Sequence, residues 1–330
     1  MKEIRTGQLL IMQAKALIIG CTGQDGSLLI KYLLNKNYEI IGTSRREQQK
    51  CLNHQLLGIN NQFKVKIVNP LDYDEVKNIL IEEEPTEVYH LSAQSSVGLS
   101  FQKPIDTQQS ISLSTLNLLE ACKNTSFKGR VFFAGSSEIY GHTISPAKIN
   151  SRINPQSPYG IAKVESMLLV RNYRKVYNLN VVTGILFPHE SPLRNDNFLT
   201  HKIICGAIKC LKNKNHKINL GNIKIERDWG WAEDYTEAIH LVNNSTNIKD
   251  QIICTGTSTS IIGFISITCN KLNLKWQDHF ISNKKLYRAM DIDKSIGDPS
   301  QILNDLNWKA TLKIEEIIEK LIESKLKYSS

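Results

Sequence analysis

An α/β architecture, a doubly wound parallel sheet with a smaller α/β unit beside it, is predicted by three features of the chain. Short apolar runs alternate with amphipathic helical patterns through residues 15–187. The runs are apolar throughout rather than at every second position, the pattern of strands covered on both faces. A glycine-rich turn, Gly20-Cys21-Thr22-Gly23-Gln24-Asp25-Gly26, separates the first strand from the first helix, where a βαβ unit brings its backbone closest to a ligand.

Strands are predicted at 15–20, 39–44, 63–68, 87–91, 130–134 and 180–187, with helices at 26–34, 74–83, 106–121 and 162–176 between them. Parallel strands joined through helices take right-handed crossovers, so these elements form one buried sheet. Beyond 187 the regularity breaks: 189–198 and 224–233 read as polar loops, 200–212 as a helix, 251–260 as a strand and turn, and 261–272 and 314–326 as helices. At roughly 150 residues per domain the 330-residue chain makes about two units. Residues 12–187 and about 228–262 are assigned to the sheet, 188–227 and 263–330 to the smaller unit, and 1–11 to an extension ahead of a second methionine, Met12.

Forty-one basic and 32 acidic residues leave a formal charge of +9. The basic residues are dispersed, with one dense tract at 209–217, so an anionic small molecule rather than nucleic acid accounts for the excess. Trp229, Trp231 and Tyr235 lack interleaved basic residues and read as core and seam packing rather than as a base-stacking platform. No apolar run approaches the ~20 residues of a membrane span, and no leader pattern opens the chain. Seven cysteines, an odd number without a C-x-x-C pair, suit reduced thiols in the cytoplasm and suggest neither a disulfide frame nor a metal site.

Three segments carry chemistry. The spacing of Gly20, Gly23 and Gly26 lets the turn tighten, approach a pyrophosphate and aim a helix N-terminus at it, as in a Rossmann-type nucleotide fold. The second strand ends in Arg45-Arg46 instead of the acidic residue that pairs with the ribose of NAD, and two guanidinium groups suit the 2′-phosphate of NADP. Tyr159 and Lys163 stand four apart, on one helix face. An ammonium there lowers a phenol pKa that starts near ~10 toward the range of a working base. Ser136-Ser137-Glu138 follows the fifth strand directly, placing a hydroxyl and a carboxylate at the edge where such sheets bind ligands.

Further segments join these: Thr22-Gly23-Gln24-Asp25-Gly26-Ser27, Leu91-Ser92-Ala93-Gln94-Ser95, Ser157-Pro158-Tyr159, Gly184-Ile185-Leu186-Phe187 with His189-Glu190-Ser191-Pro192, and Gly221-Asn222 with Arg227-Asp228-Trp229-Gly230. Together they resemble the extended short-chain dehydrogenase/reductase superfamily and, within it, the GDP-mannose 4,6-dehydratases, from about Met12 to the last helix. Ser136-Ser137-Glu138 is similar to the Thr-Ser-Glu of that family, whereas dehydratases of dTDP-glucose have Thr-Asp-Glu, and epimerases and reductases usually lack the glutamate.

The resemblance implies dehydration of GDP-mannose to GDP-4-keto-6-deoxymannose through an internal hydride cycle, with Ser136, Glu138, Tyr159 and Lys163 as catalytic residues. It implies NADP held by Gly20, Thr22, Gly23, Gln24, Asp25, Gly26, Arg45, Arg46, Leu71, Leu91, Ala93, Tyr159, Lys163 and His189. A GDP-sugar, GDP-mannose first, would meet Ser95, Ser136, Asn197, Lys202, Arg227 and Arg288. A homodimer or homotetramer, without metal, nucleic acid or membrane, completes the expectation.

The chain departs from the family pattern at Asn69-Pro70-Leu71, where Gly-Asp-Leu is common, and at Pro188, where asparagine is usual. His201 stands where many relatives have arginine, and Gly160-Ile161 replaces Ala-Val. A reductase or epimerase of a 4-keto GDP-sugar, a dehydratase of a related GDP-heptose, and a non-catalytic NADP-binding paralogue are the alternatives. The first would not need Glu138, and the last would be expected to have lost at least one of Glu138, Tyr159 and Lys163.

Overall fold

In the computed structural model, which describes residues 13–45, 51–287 and 290–329, strand β1 (Lys15–Ile19) is buried from Ala16 onward. Alternate residues of a strand face opposite ways, and β1 therefore feeds two cores. Ala16 and Ile18 pack with Leu29 and Leu33, while Leu17 and Ile19 pack with Val76, Leu80 and Leu118. After β1 come α1 (Gln24–Leu34), β2 (Glu39–Ser44), α2 (Leu52–Leu57), β3 (Lys64–Ile67), α3 (Tyr73–Glu83) and β4 (Glu87–His90). The chain continues through α4 (Val97–Gln102), α5 (Pro104–Gln108), a π-helical turn (Gln109–Leu113), α6 (Ser114–Asn124), β5 (Arg130–Ser136), α7 (Pro158–Tyr177) and β6 (Val181–Leu186).

The second part begins with β7 (His189–Glu190), α8 (Leu199–Lys212), β8 (Ile218–Leu220), β9 (Glu226–Arg227), β10 (Gly230–Trp231) and α9 (Ala232–Asn244). It ends with β11 (Gln251–Ile253), β12 (Thr259–Ser260), α10 (Ile261–Lys271), β13 (Phe280–Ser282), β14 (Lys294–Ser295), α11 (Ser300–Leu306) and α12 (Ile314–Ser329).

Seven strands form the main sheet in the order β11-β6-β5-β4-β1-β2-β3, every neighbouring pair parallel. The order reverses between β1 and β4, and in such sheets the crevice at that reversal, beyond the strand carboxyl ends, takes the ligand. A separate apolar cluster joins Ile203 and Ile204 of α8, Phe264 of α10 and Ile317 and Leu321 of α12. Ile302 and Trp308 pack instead with the sheet, and Trp229 and Trp231 with the separate cluster.

Several expectations are corrected. The helix expected at 106–121 is three elements, because the hydroxyls of Thr115, Ser114 and Ser166 all donate to the Ile111 carbonyl and compete with its helical partner. Residues 224–233, expected as a polar loop, contain β9, β10 and the start of α9, a helix whose apolar stripe is interrupted by Thr236, Glu237 and His240. The loop expected at 189–198 contains β7, which pairs with β10. β3 is an edge strand, and Lys64 and Lys66 lie along its exposed length. Residues 1–11 with Met12, as well as Arg46 and Arg288, lie outside the described residues.

The turn after β1 tolerates side chains unequally. A Cβ on Gly26 would lie 2.2 Å from the Gly20 carbonyl oxygen, whereas one on Gly23 meets nothing nearer than 3.7 Å. Gly26→Ala is expected to cost roughly 2–3 kcal/mol in urea unfolding, and Gly23→Ala less than about 0.5 kcal/mol.

Candidate active site

The glycine turn is shaped by backbone crowding. Gly20 has φ +95°, and a Cβ there would stand 2.7 Å from the Ser92 nitrogen. Only glycine enters this conformation freely. α1 starts from Gly23 with no side chain capping it, so first-turn amides are left for an anion and a Cβ-free cradle faces them. These features fit the pyrophosphate of a dinucleotide.

Asp25 and His189, each expected to touch the cofactor, hold one another. His189 Nε2 donates to Asp25 Oδ1 at 3.0 Å and Nδ1 donates to the Phe187 carbonyl at 2.7 Å. Two acceptors require the doubly protonated ring. Burial alone would neutralise His189, but Asp25 holds its pKa above the ordinary value. Burial likewise pushes Asp25 upward, yet His189, Gln24 and Arg194 together hold its carboxyl well below the usual range. Gln24 accepts from the Ser191 hydroxyl at 2.8 Å, and the His189 ring stacks on Tyr235 at 4.6 Å. The start of α1 is thereby tied to the segment after β6.

Arg194 is the residue that sequence reasoning missed. It donates to the His189 carbonyl at 3.1 Å, lies 3.4 Å from Glu190 and covers the Phe198 ring at 4.0 Å. Its charge also acts on Tyr159. The available signal was a cation five residues after His189 in a segment already assigned to the site.

The catalytic candidates converge where β5 ends. Ser136 closes the strand, and its hydroxyl accepts from the Glu138 backbone N–H at 3.3 Å, which starts a 3-10 turn. Ser157 caps α7 by accepting from Gly160 N–H at 3.0 Å, and Pro158 opens the helix. Tyr159 and Lys163 then lie in its first turns, both buried. A Cβ on Gly160 would stand 2.9 Å from the Glu138 carbonyl oxygen, so the small residue lets the Glu138 turn settle on α7. The Lys163 ammonium donates to the Ala134 carbonyl at 2.7 Å and lies 5.7 Å from the Tyr159 ring centroid.

The expectation that Lys163 lowers the Tyr159 pKa is not met in this geometry. Burial pushes Tyr159 up to about 12, against the downward pull of the Ser136 hydrogen bond and the Arg194 charge. Burial pushes Lys163 down to about 8, and Asp25 only partly opposes it. The ammonium faces Ala134 and the Phe133 ring rather than the phenol oxygen. Below it, burial and the Lys163 charge push His90 down to about 3, so its ring is neutral beside Ser114 and Ser92.

The remaining candidates are placed as follows. Leu91 packs on the sheet core, and Ala93, at φ +151°, packs with Ile111, Tyr159 and Ala162. Thr22 offers its carbonyl to Asn53 at 3.0 Å, and the Leu71 nitrogen donates to Asn69 at 3.2 Å. Arg45 is exposed at the end of β2. Ser95, Asn197 and Lys202 are exposed, the first ahead of α4 and the others at the entrance to α8. Arg227 is buried in β9 and donates to the Ile292 carbonyl at 2.7 Å. The structure thus gathers Ser136, Glu138, Tyr159 and Lys163, while Arg227 belongs to the small sheet β12-β9-β14. Among the described residues no group of three or more His, Cys, Asp or Glu is placed to hold a metal.

The buried amine has a measurable consequence. A lysine with a folded-state pKa below its unfolded value costs stability at lower pH, and that cost fades as pH rises from the folded to the unfolded value. Lys163→Met is expected to raise stability near pH 7 by on the order of 3 kcal/mol, with the gain shrinking between about pH 8 and 10.5. Urea unfolding across that range checks it.

Comparison with known proteins matches this architecture. Residues 17–321 fit the family model described as GDP-mannose 4,6 dehydratase. GDP-mannose 4,6 dehydratase 1 of Arabidopsis thaliana is 34% identical over 94% of this chain and 89% of its own length. The GDP-mannose 4,6 dehydratase of Homo sapiens is 33% identical over 94% and 90%. Among solved structures, the UDP-glucose 4-epimerase of Thermotoga maritima superposes with a TM-score of 0.85 at 20% identity, covering 96% of this chain and all of that one (100%). The dTDP-glucose 4,6-dehydratase of Bacillus anthracis, solved with NAD, superposes at 0.83 and 16% identity, over 95% and 97%. The structures carry the fold, and the family model and the relatives carry the assignment: this chain belongs to the GDP-mannose 4,6-dehydratase family.

Proposed function

We propose that this chain converts GDP-mannose to GDP-4-keto-6-deoxymannose as an NADP-dependent hydro-lyase. The observation that carries the reading is Glu138, seated one turn beyond β5 with its charge acting on Tyr159. A carboxylate is needed there only if a carbon-bound proton must be taken.

A bound nicotinamide dinucleotide supplies the hydride acceptor for oxidation at C4 and the donor for reduction at C6. Tyr159 takes the proton of the C4 hydroxyl, and the Ser136 hydroxyl holds the same oxygen. The ketone at C4 acidifies the neighbouring C5–H, which makes a carboxylate a competent base. Glu138 removes that proton and delivers it to the departing C6 hydroxyl, so water leaves; a solvent proton carried by Glu138 restores C5–H when C6 is reduced, and Tyr159 releases to solvent the proton it took. Lys163, buried beside the Tyr159 ring, would meet the ribose of the bound dinucleotide, and Arg194 adds positive charge where the phenolate forms. Ser95, Asn197, Lys202, Arg227 and Arg288 are the proposed contacts of the GDP-sugar, with guanidinium groups suited to its diphosphate. Gly20, Thr22, Gly23, Gln24, Gly26, Leu71, Leu91 and Ala93 line the proposed cofactor path, while Asp25 and His189 shape it through their mutual bond.

Self-association is proposed through the outer face of α5 to α7. Ile105, Leu113, Ile161 and Leu168 are exposed there, the last two seven residues apart on one side of α7. Among the described residues no helix is long and apolar enough to cross a membrane. All seven cysteines are free thiols, which supports the proposed cytoplasmic setting.

With GDP-mannose and NADP, Glu138→Gln should accumulate reduced nicotinamide absorbance, lose product by a factor of about 100 or more, and fail to exchange C5 hydrogen with deuterated water. Tyr159→Phe should block the first hydride transfer, with no reduced cofactor appearing. Normal product from the glutamine variant would move a reductase or epimerase ahead. Titration calorimetry should show NADP binding more tightly than NAD, and Arg45→Ala should reduce that preference by about tenfold. Equal affinities in the unaltered protein would count against NADP.

A further inference from the structure

At the amino-terminal edge of the sheet, opposite the catalytic groups, lies a cavity of about 500 Å³ whose polar lining includes Arg171, Arg174, Lys249, Asp250 and Gln301. α7 connects the two edges. It holds Tyr159 in its first turn and carries Arg171 eight residues beyond Lys163, about 12 Å along the axis.

The carboxylate in this cavity is fully engaged. Asp250 Oδ1 accepts from Arg174 Nη1 at 2.8 Å and from the Thr183 backbone N–H at 3.0 Å, and Oδ2 accepts from Arg171 Nε at 2.7 Å. Gln301 donates to the Asp250 carbonyl at 2.9 Å. Arg171 spends only Nε on these contacts, and its two terminal nitrogens make no hydrogen bond among the described residues. Arg174 spends only Nη1, on Asp250 and on the Val181 carbonyl at 3.1 Å. Lys249 lies 3.6 Å from Asp305 and is half exposed. Three cations therefore face two carboxylates, and the Asp250 bonds hold both guanidinium forks in place with donors left over. Behind them, the Thr183 and Tyr140 hydroxyls are buried without a partner.

We propose that this cavity binds the phosphate group of a small molecule, at a site separate from the catalytic edge. Arg171 and Arg174 supply the forked donors, and Lys249 the additional charge. A structural pair would need only one guanidinium to neutralise Asp250. The second cation and the unspent donors are what a phosphate dianion uses.

The full-length protein would be titrated calorimetrically with inorganic phosphate and with a hexose 6-phosphate. Saturable binding is expected, weakened about tenfold or more in both Arg171→Gln and Lys249→Gln and unchanged in Ser136→Ala. Equal affinity for the two probes would assign recognition to the phosphate alone, and tighter hexose phosphate binding would assign it to the ester; both support the site. Absence of saturable binding, or equal binding by the Arg171 and Lys249 variants, would overturn it. Lys249 is a surface residue, so its variant keeps the test decisive if Arg171→Gln unfolds. The readout is binding, and it stands apart from any failure of the dehydratase reading.

Discussion

No side chain fits where β1, α1 and the loop after β4 meet, and the arrangement of the site follows from that. Gly26 lies against the Gly20 carbonyl, and Gly20 against the Ser92 backbone, both closer than any Cβ allows. This contact draws α1 onto the sheet at the place where strand order reverses. It leaves the helix N-terminus uncapped and pointing along the crevice. The loop held by the same contact passes Ala93 toward Tyr159, so the candidate anion cradle and the helix that bears Tyr159 share one support.

Around that support, charges are placed by burial and then constrained by partners. Asp25 and His189 are distant in sequence, and each would be costly to bury alone as an ion. Paired, they anchor the start of α1 to the segment after β6, and Arg194 extends the anchor to Glu190 and Phe198. Asp228 makes a second anchor. It is fully buried and accepts from the Thr255 backbone at 3.0 Å, the Thr255 hydroxyl at 2.6 Å and the Gly256 backbone at 2.9 Å. That saturated carboxylate joins β9 to the loop after β11, and so ties the smaller sheet to the larger.

Lys163 shows the cost of such placement. Its ammonium is buried against one carbonyl and one aromatic face, and that burial pushes its pKa down to about 8. A buried cation beside the Tyr159 ring is thus carried at the expense of stability.

Much of the fold was legible because its signals are local. Apolar runs of strand length, the glycine spacing and the Tyr159–Lys163 separation each depend on neighbours within a few residues, and they determined the parallel sheet, the tight glycine turn and the helix face that Tyr159 and Lys163 share. Glu138 was legible for the same reason, lying two residues past a strand end. The π-helical turn after α5 was not, because it depends on Ser166 of another helix reaching the Ile111 carbonyl. The Asp25–His189 bond was missed because partners 164 residues apart leave no periodic trace. Arg194 was missed because a lone cation in a loop carries no spacing signal, although His189, Glu190 and Phe198 all lie close to it in sequence. The direction in which Lys163 points was hidden too. Sequence spacing places a side chain on a face of its helix; whether that charge meets a phenol, a carbonyl or water is decided when the sheet packs against it and sets the local burial.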